Sequence, residues 1–507
     1  MRRRALVLLA TLTALAAPAA ASATGQAAAT YTAYNVGISG GEPTLGFDTA
    51  RNAAVYGSGT SSKRLTWDDA EPAQMTIVDV KPKTSVTTLD PITFTDRVTN
   101  RTFVSQLYLA CSLTSFSDDA GATWTPSQGC GPDTMVDHQT IGGGPYAGAL
   151  AGQNPVYPNA VYYCAQNGFS GTCARSDDGG LTFGPGTPAY NTPANAVGDP
   201  YGGACSAIHG HLKVALDGTV YLPNKGCGGT PTVQNLTNSE FFGGSPAVSV
   251  SEDNGITWTV RKVPGARNQD ESDPSVDTDQ AGAVYLGWQD GVNPSETVYG
   301  TTSSARIAVS TDKGRTWSTP YDVSTALGIN NVQFPEVVAG VAGRAAFAFL
   351  GTPGIGDDQH NGFVGAWHLY VATTLDGGAS WSTVDTTPDD PVQRGCISLQ
   401  GTSNKTVLSA VCGQRNLLDF NDITIDREGR VLVAYADGCT SAACIANPGS
   451  GSSGARSMVM RQSSGPLLVG DLPTPVVPEI PAAALLPLTA VLMLLGVAAV
   501  RRRRQHA

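Results

Sequence analysis

"SEDNGITW" (251–258) is written five times, with small changes, along a chain of 507 residues. The other copies are "SDDAGATW" (117–124), "SDDGGLTF" (176–183), "STDKGRTW" (310–317) and "TLDGGASW" (374–381). Each places an Asp, a Gly two residues on, a Thr or Ser two further, and an aromatic next. Upstream of each copy runs a short β-like segment such as "AVYYCAQ", "SPAVSV", "ARIAVS" or "HLYVAT". Strand, octapeptide, strand is the pattern of a hairpin. The Asp suits the backbone N–H groups of its own turn, the Gly suits positive φ, and the aromatic buries its ring against a neighbour. Asp119, Asp178, Asp253, Asp312 and Asp376, with Trp124, Trp258, Trp317 and Trp381, therefore read as structural.

The octapeptide resembles the Asp-box, S-x-D-x-G-x-T-W, of sialidases and other bacterial-neuraminidase-repeat proteins. The resemblance implies a β-propeller in which the box joins the third and fourth strands of a blade, on the face opposite the site. From Asp119 the steps to the next four box Asp residues are 59, 75, 59 and 64, the length of one four-stranded blade with loops. A second phrase, a β-run, a turn and another β-run, precedes the boxes, as in "PTLGFDTARNAAVYGSG" (43–59) and "DPSVDTDQAGAVYLGW" (273–288). Counting both phrases gives seven units, near 41–80, 90–130, 135–190, 203–264, 270–325, 330–388 and 395–465; the first and last lack a clean box. The fold expected is all-β, one propeller over 31–465, of seven blades, with the six of sialidases as the alternative.

The 59 Gly, 32 Pro and 14% charged residues fit short strands and turns. Residues 1–23 read as a signal peptide ending at Ala21-Ser22-Ala23. Residues 466–481 read as a Pro-rich spacer, 482–500 as a transmembrane helix and 501–507 as a basic cytoplasmic tail. The expectation is export, with the propeller held outside the cell surface as a monomer. Cys111/Cys130, Cys164/Cys173, Cys205/Cys227, Cys396/Cys412 and Cys439/Cys444 are neighbouring pairs, and an even count outside the cytosol favours disulfides. Setting aside Arg2–Arg4 and Arg501–Arg504 takes the net charge from −11 to about −18, which disfavours nucleic acid as a partner.

The loops entering each inner strand, and those between second and third strands, lie opposite the boxes and are polar and acidic. They place Asp137, Asp270, Glu271, Asp273, Glu336, Asp419 and Asp422 at the expected mouth as candidates for acid, base or nucleophile work. The resemblance adds an arginine clamp for a sugar carboxylate, for which Arg267, Arg306, Arg415 and Arg456 are candidates, and a tyrosine nucleophile, for which Tyr299 stands in a mouth loop. No R-I-P motif occurs; "ARIAVS" is the nearest string. His138 and His209 are candidate sugar contacts. His209 and His211 in "HGH" lack an identifiable third ligand, so neither metal nor cofactor is expected. The function expected is that of a sialidase-like propeller acting on or binding glycans, with an exo-sialidase as the enzymatic form. A non-catalytic glycan- or protein-binding propeller, or an envelope-assembly propeller, is the alternative.

Overall fold

The computed structural model describes residues 28–469, apart from 87–89, 109–110, 129–136, 155, 168–169, 192–204, 207–208, 229–244, 267–271, 292–301, 400–411, 448–451 and 453. The signal peptide, the transmembrane segment, and Arg267, Asp270, Glu271, Tyr299 and Cys130 lie outside the described residues. Among those that are described, no helix is long and apolar enough to cross a membrane.

Seven antiparallel sheets form seven blades, one in each unit of the sequence. The inner strands, in chain order, are Thr44–Asp48, Pro91–Thr95, Asp137–Pro145, Lys213–Val214, Ser275–Thr278, Asn331–Ala339 and Asp422–Ile425. Each contacts the inner strands of the blades on either side, and the seventh contacts the first, so the ring is closed around an axis. Blades 1 to 6 run outward in chain order through four strands, with Gln393–Arg394 added at the side of blade 6. Blade 7 takes its outermost strand from the other end of the chain. Thr30–Ser39 pairs antiparallel with Arg456–Ser464, Tyr34 opposite Val459. The chain thus has no third-to-fourth-strand connection in blade 7, which is why no octapeptide stands there. In blade 1 the same turn is made by Asp68, whose Oδ1 accepts from Gln74 N at 2.6 Å.

Most inner and second strands are buried along their length, as in Thr44–Asp48, Ala53–Ser58 and Asn331–Ala339, whereas outer strands such as Met75–Asp79 are mostly exposed. Sheets apolar on both faces must be covered on both, and neighbouring blades do this for one another. The octapeptides clamp the outer edge. In the copy at 251–258, Asp253 Oδ1 accepts from Thr257 N at 2.8 Å and Oδ2 from Thr257 Oγ1 at 2.6 Å. Ser251 Oγ donates to Asp253 at 2.9 Å and accepts from Gly255 N at 2.8 Å, with Gly255 at φ +79°. The same Asp-to-Thr or Asp-to-Ser pair of bonds recurs around Asp119, Asp178, Asp312 and Asp376. Each turn also docks on the preceding blade. Trp124 Nε1 donates to Val80 O at 2.6 Å, and Arg101, Arg175 and Arg261 donate to the carbonyls of Gly179, Asn254 and Lys313 in the next blade.

Among the described residues, four disulfides are formed, by the neighbouring pairs Cys164–Cys173, Cys205–Cys227, Cys396–Cys412 and Cys439–Cys444. All four sit where chain enters an inner strand or passes from a second strand to a third, at the end of the ring opposite the octapeptides. One end is held by hydrogen-bonded turns and the other by covalent staples. Asp253→Ala removes both bonds to Thr257 and is expected to lower unfolding free energy by about 2 kcal/mol in a urea titration. An unchanged midpoint would show that the turn contributes nothing beyond its Gly.

Candidate functional site

Antiparallel blades bring the starts of all seven inner strands to one end of the axis, and each blade carries an ionisable residue there. Glu42 comes from blade 1, Asp90 from blade 2, and Asp137 and His138 from blade 3. Blade 4 supplies His209, His211 and Lys213, blade 5 Asp273, blade 6 Glu336, and blade 7 Arg415, Asp419 and Asp422. The backbone is strained at this end. Glu42, His138, Phe334 and Leu418 have φ of 47°, 47°, 55° and 61°. Residues with a Cβ avoid that region unless the surroundings hold them there, and such positions gather at functional sites.

The rim is a chain of paired charges. His138 Nδ1 stands 3.4 Å from Asp273 Oδ2, across from blade 3 to blade 5. Burial alone would lower the His138 pKa, but Asp273, with Asp137 and Asp90, lifts it to about 10, so the ring is an imidazolium at neutral pH. Burial raises Asp273 despite this partner. Asp90 and Asp137 lie near enough to shift one another in opposite directions, and Asp90 Oδ2 is buried without a partner. Burial, reinforced by Asp137, pushes Asp90 up to about 7 even though His138 opposes it. Burial would raise Asp137 too, but His138, with its charge and backbone N–H, holds it below the usual carboxylate range. Asp137 Oδ1 accepts that N–H at 3.0 Å. Across the rim, burial together with Asp419 and Asp90 pushes the Glu42 carboxyl well up, and its Oε2 is buried without a partner. Arg415 grips Asp419 with both terminal nitrogens, Nη2 to Oδ2 at 2.6 Å.

One step further along the strands, Glu336 Oε2 accepts from Ser275 Oγ at 2.9 Å, and Asp422 Oδ2 accepts from Leu45 N at 2.7 Å. Burial and the Asp422 charge push Glu336 well up; burial pushes Asp422 to about 6. Burial also holds His209 down near 4 and His211 near 3, so both rings are neutral at physiological pH.

Of the residues expected at the mouth, Asp137, His138, His209, Asp273, Glu336, Arg415, Asp419 and Asp422 are brought together. Arg306 and Arg456 are not. Arg306 is held by Asp290 at 3.0 Å and Asp322 at 3.8 Å within blade 5, and Arg456 by Asp437 at 3.7 Å within blade 7. Arg456 instead lines a recess of about 350 Å³ on the closing seam, with Asn35, Ser39 and Thr440. The physical reason is register: Asp437 ends the second strand directly opposite Arg456, and Asp322 lies directly opposite Arg306, so each guanidinium meets a carboxylate of its own sheet. Glu42, Asp90 and Lys213 were missed. A signal existed for the first two. Acid-Pro heads the inner strands in "EPTL" (42–45), "DPIT" (90–93) and "DPSV" (273–276), but only the last was read as a mouth element.

No family model matches the sequence, and no curated protein matches it. Among solved structures, the chain is similar to an ulvan lyase of a polysaccharide lyase family, at 10% identity and TM-score 0.45, over 80% of this chain and 93% of that one. It is similar to a Trypanosoma rangeli sialidase mutant displaying trans-sialidase activity, at 12% identity and TM-score 0.38, over 86% of this chain and 60% of that one. It is also similar to the six-bladed fucose-recognising lectin of Aleuria aurantia, at 11% identity and TM-score 0.39, over 70% and 98%. The count of seven blades comes from the chain's own sheets.

Asp90 gives this site a measurable signature. The folded chain keeps its proton up to a pH of about 7, whereas an unfolded carboxyl releases it near 4, so stability falls as pH rises through that window. Asp90→Asn should leave the melting temperature unchanged near pH 4 and raise it by about 3 °C at pH 8. A variant no more stable than wild type at pH 8 would mean that Asp90 ionises freely.

Proposed function

We propose that this chain is a glycan-active propeller that takes a sugar chain into the acidic mouth and cleaves a glycosidic bond there. The observation that carries the reading is the pair of neighbouring acids Asp90 and Asp137, which influence one another at a mouth lined by ionisable residues. It places a carboxyl still protonated near neutrality beside an ionised one, which supplies the charge state a general acid needs. Asp90 is the proton donor to the leaving oxygen. As the sugar's bond to that oxygen breaks, the Asp137 carboxylate, oriented by the backbone N–H of His138, stabilises the developing oxocarbenium charge, and water adds to the anomeric carbon and gives up its proton to a rim carboxylate. The sugar-directed activities of the structurally similar proteins belong to those proteins; the support here is the charge arrangement itself.

The same arrangement bears on substrate. A sialic acid needs guanidinium groups turned toward its carboxylate, yet Arg415, Arg306 and Arg456 are each committed to an Asp. The carboxylate-lined mouth favours neutral or amino sugars, with an exo-sialidase as the less supported form. Kinship with Asp-box proteins, export through residues 1–23, anchoring through 482–500 and a monomeric state belong to the same proposal. They rest on the octapeptides and on the basic–apolar and apolar–basic ends of the sequence.

The test is release of reducing ends by the purified protein from a panel of neutral, amino and sialylated oligosaccharides. Asp90→Asn and Asp137→Asn are expected to lower kcat at least about 100-fold while moving KM far less. The wild-type rate should fall as pH rises through about 7, where Asp90 loses its proton. Binding of sugars without turnover would reduce the reading to a lectin. Neither binding nor release across the panel would remove it.

A further inference from the structure

Two residues from blade 7 and blade 6 meet one from blade 4 across the axis. His211, Glu336 and Asp422 each offer a donor atom, and the three atoms lie within 4.8 Å of one another. His211 Nδ1 is 4.0 Å from Asp422 Oδ1. We infer that these three side chains bind one divalent transition-metal ion, of the zinc or manganese class, on the axis of the propeller. This rests on the fold and the donor geometry, and is independent of the glycan reading.

An ion about 2.1 Å from each donor sets donor–donor separations of roughly 3 to 4.2 Å, so the donors need to close by well under about 1 Å. One imidazole and two carboxylates form a mixed nitrogen–oxygen set, which suits zinc or manganese better than the all-oxygen shell that calcium and magnesium take. The donors are also backed from behind, as metal ligands characteristically are. Ser275 Oγ from blade 5 holds Glu336 Oε2 at 2.9 Å, and Leu45 N from blade 1 holds Asp422 Oδ2 at 2.7 Å. The His211 ring lies edge-on to Phe420, with centroids 5.0 Å apart at 80°. Five blades thus converge on one point.

Two further observations fit a cation there. Glu336 and Asp422 are 4% and 5% exposed, and neither forms an ion pair with a lysine or arginine among the described residues. The ring of His211 makes no hydrogen bond among those residues and stands 4.0 Å from Asp422. Two buried carboxylates side by side need a proton or a cation between them. Lys213, which opens the inner strand of blade 4, is the rival for that role; its charge favours the ionised form of both carboxylates.

The experiment is isothermal titration of the EDTA-stripped protein, in sugar-free buffer, with zinc chloride and manganese chloride, and with calcium chloride for comparison. One equivalent of zinc or manganese is expected to bind, at least about 10-fold more tightly than calcium, and to raise the melting temperature by about 3 °C or more. Glu336→Gln and His211→Gln are expected to weaken binding by at least about 30-fold. Lys213→Met should bind as tightly as wild type or more tightly. Circular dichroism of each variant confirms folding, and the wild-type titration stands even where a variant does not fold. Absence of stoichiometric binding by wild type overturns the inference and leaves Lys213 as the counter-ion. Binding that survives both Glu336→Gln and His211→Gln within about 3-fold overturns it as well, since the ion would then sit elsewhere. Because no sugar is present, neither result decides the glycan reading.

Discussion

Each blade is apolar on both faces, and this constraint governs the rest of the molecule. Second strands such as Val284–Asp290, Ala345–Thr352 and Val431–Asp437 are buried along their whole length. A sheet of that kind has no face to turn to water, so it is stable only between two others, and only a closed ring gives every blade two neighbours. The polar links between blades follow from this close approach. Asp277 accepts from Ala339 N at 2.8 Å, Asp279 from Gly343 N at 2.7 Å, and Ser275 from Val337 N at 2.9 Å, all from blade 5 to blade 6. Backbone groups that would otherwise be buried unsatisfied are answered from next door.

How much of this was legible in the sequence depended on how local the deciding interaction is. The octapeptide was readable because its bonds run from an Asp to a residue four positions on, as from Asp253 to Thr257. The seven units followed from their spacing. The strand Thr30–Ser39 was not assigned a place, because its partner, Arg456–Ser464, lies more than four hundred residues away and nothing nearby announces the pairing. The absence of an octapeptide in the last unit, plain in the sequence, has its cause in that same long-range event.

At the mouth the division is similar. Asp137, Asp273 and Asp422 could be placed because they head strands that could be seen. Glu42 and Asp90 stand before prolines with nothing local to mark their role, and only the ring shows that their turns face the same way. The arginines failed for an opposite reason: Arg306 and Arg456 occupy equivalent positions at the heads of third strands, but cross-strand register supplies each with a carboxylate before it can reach the axis. Position along a blade was predictable from pattern; the choice of partner was decided by the neighbouring strand.

The closing strand sets the order of synthesis against the order of assembly. Residues 30–39 emerge early from the ribosome, yet they have nothing to pair with until residues 456–464 have been made. Until then blade 1 lacks its neighbour on one side and the growing wheel stays open, with an unpaired segment rich in Tyr and Thr at its leading end. Folding of this chain is therefore a matter of waiting. Early blades can form pairwise as they appear, but the ring becomes a single cooperative object only when the last strand arrives to meet one of the first.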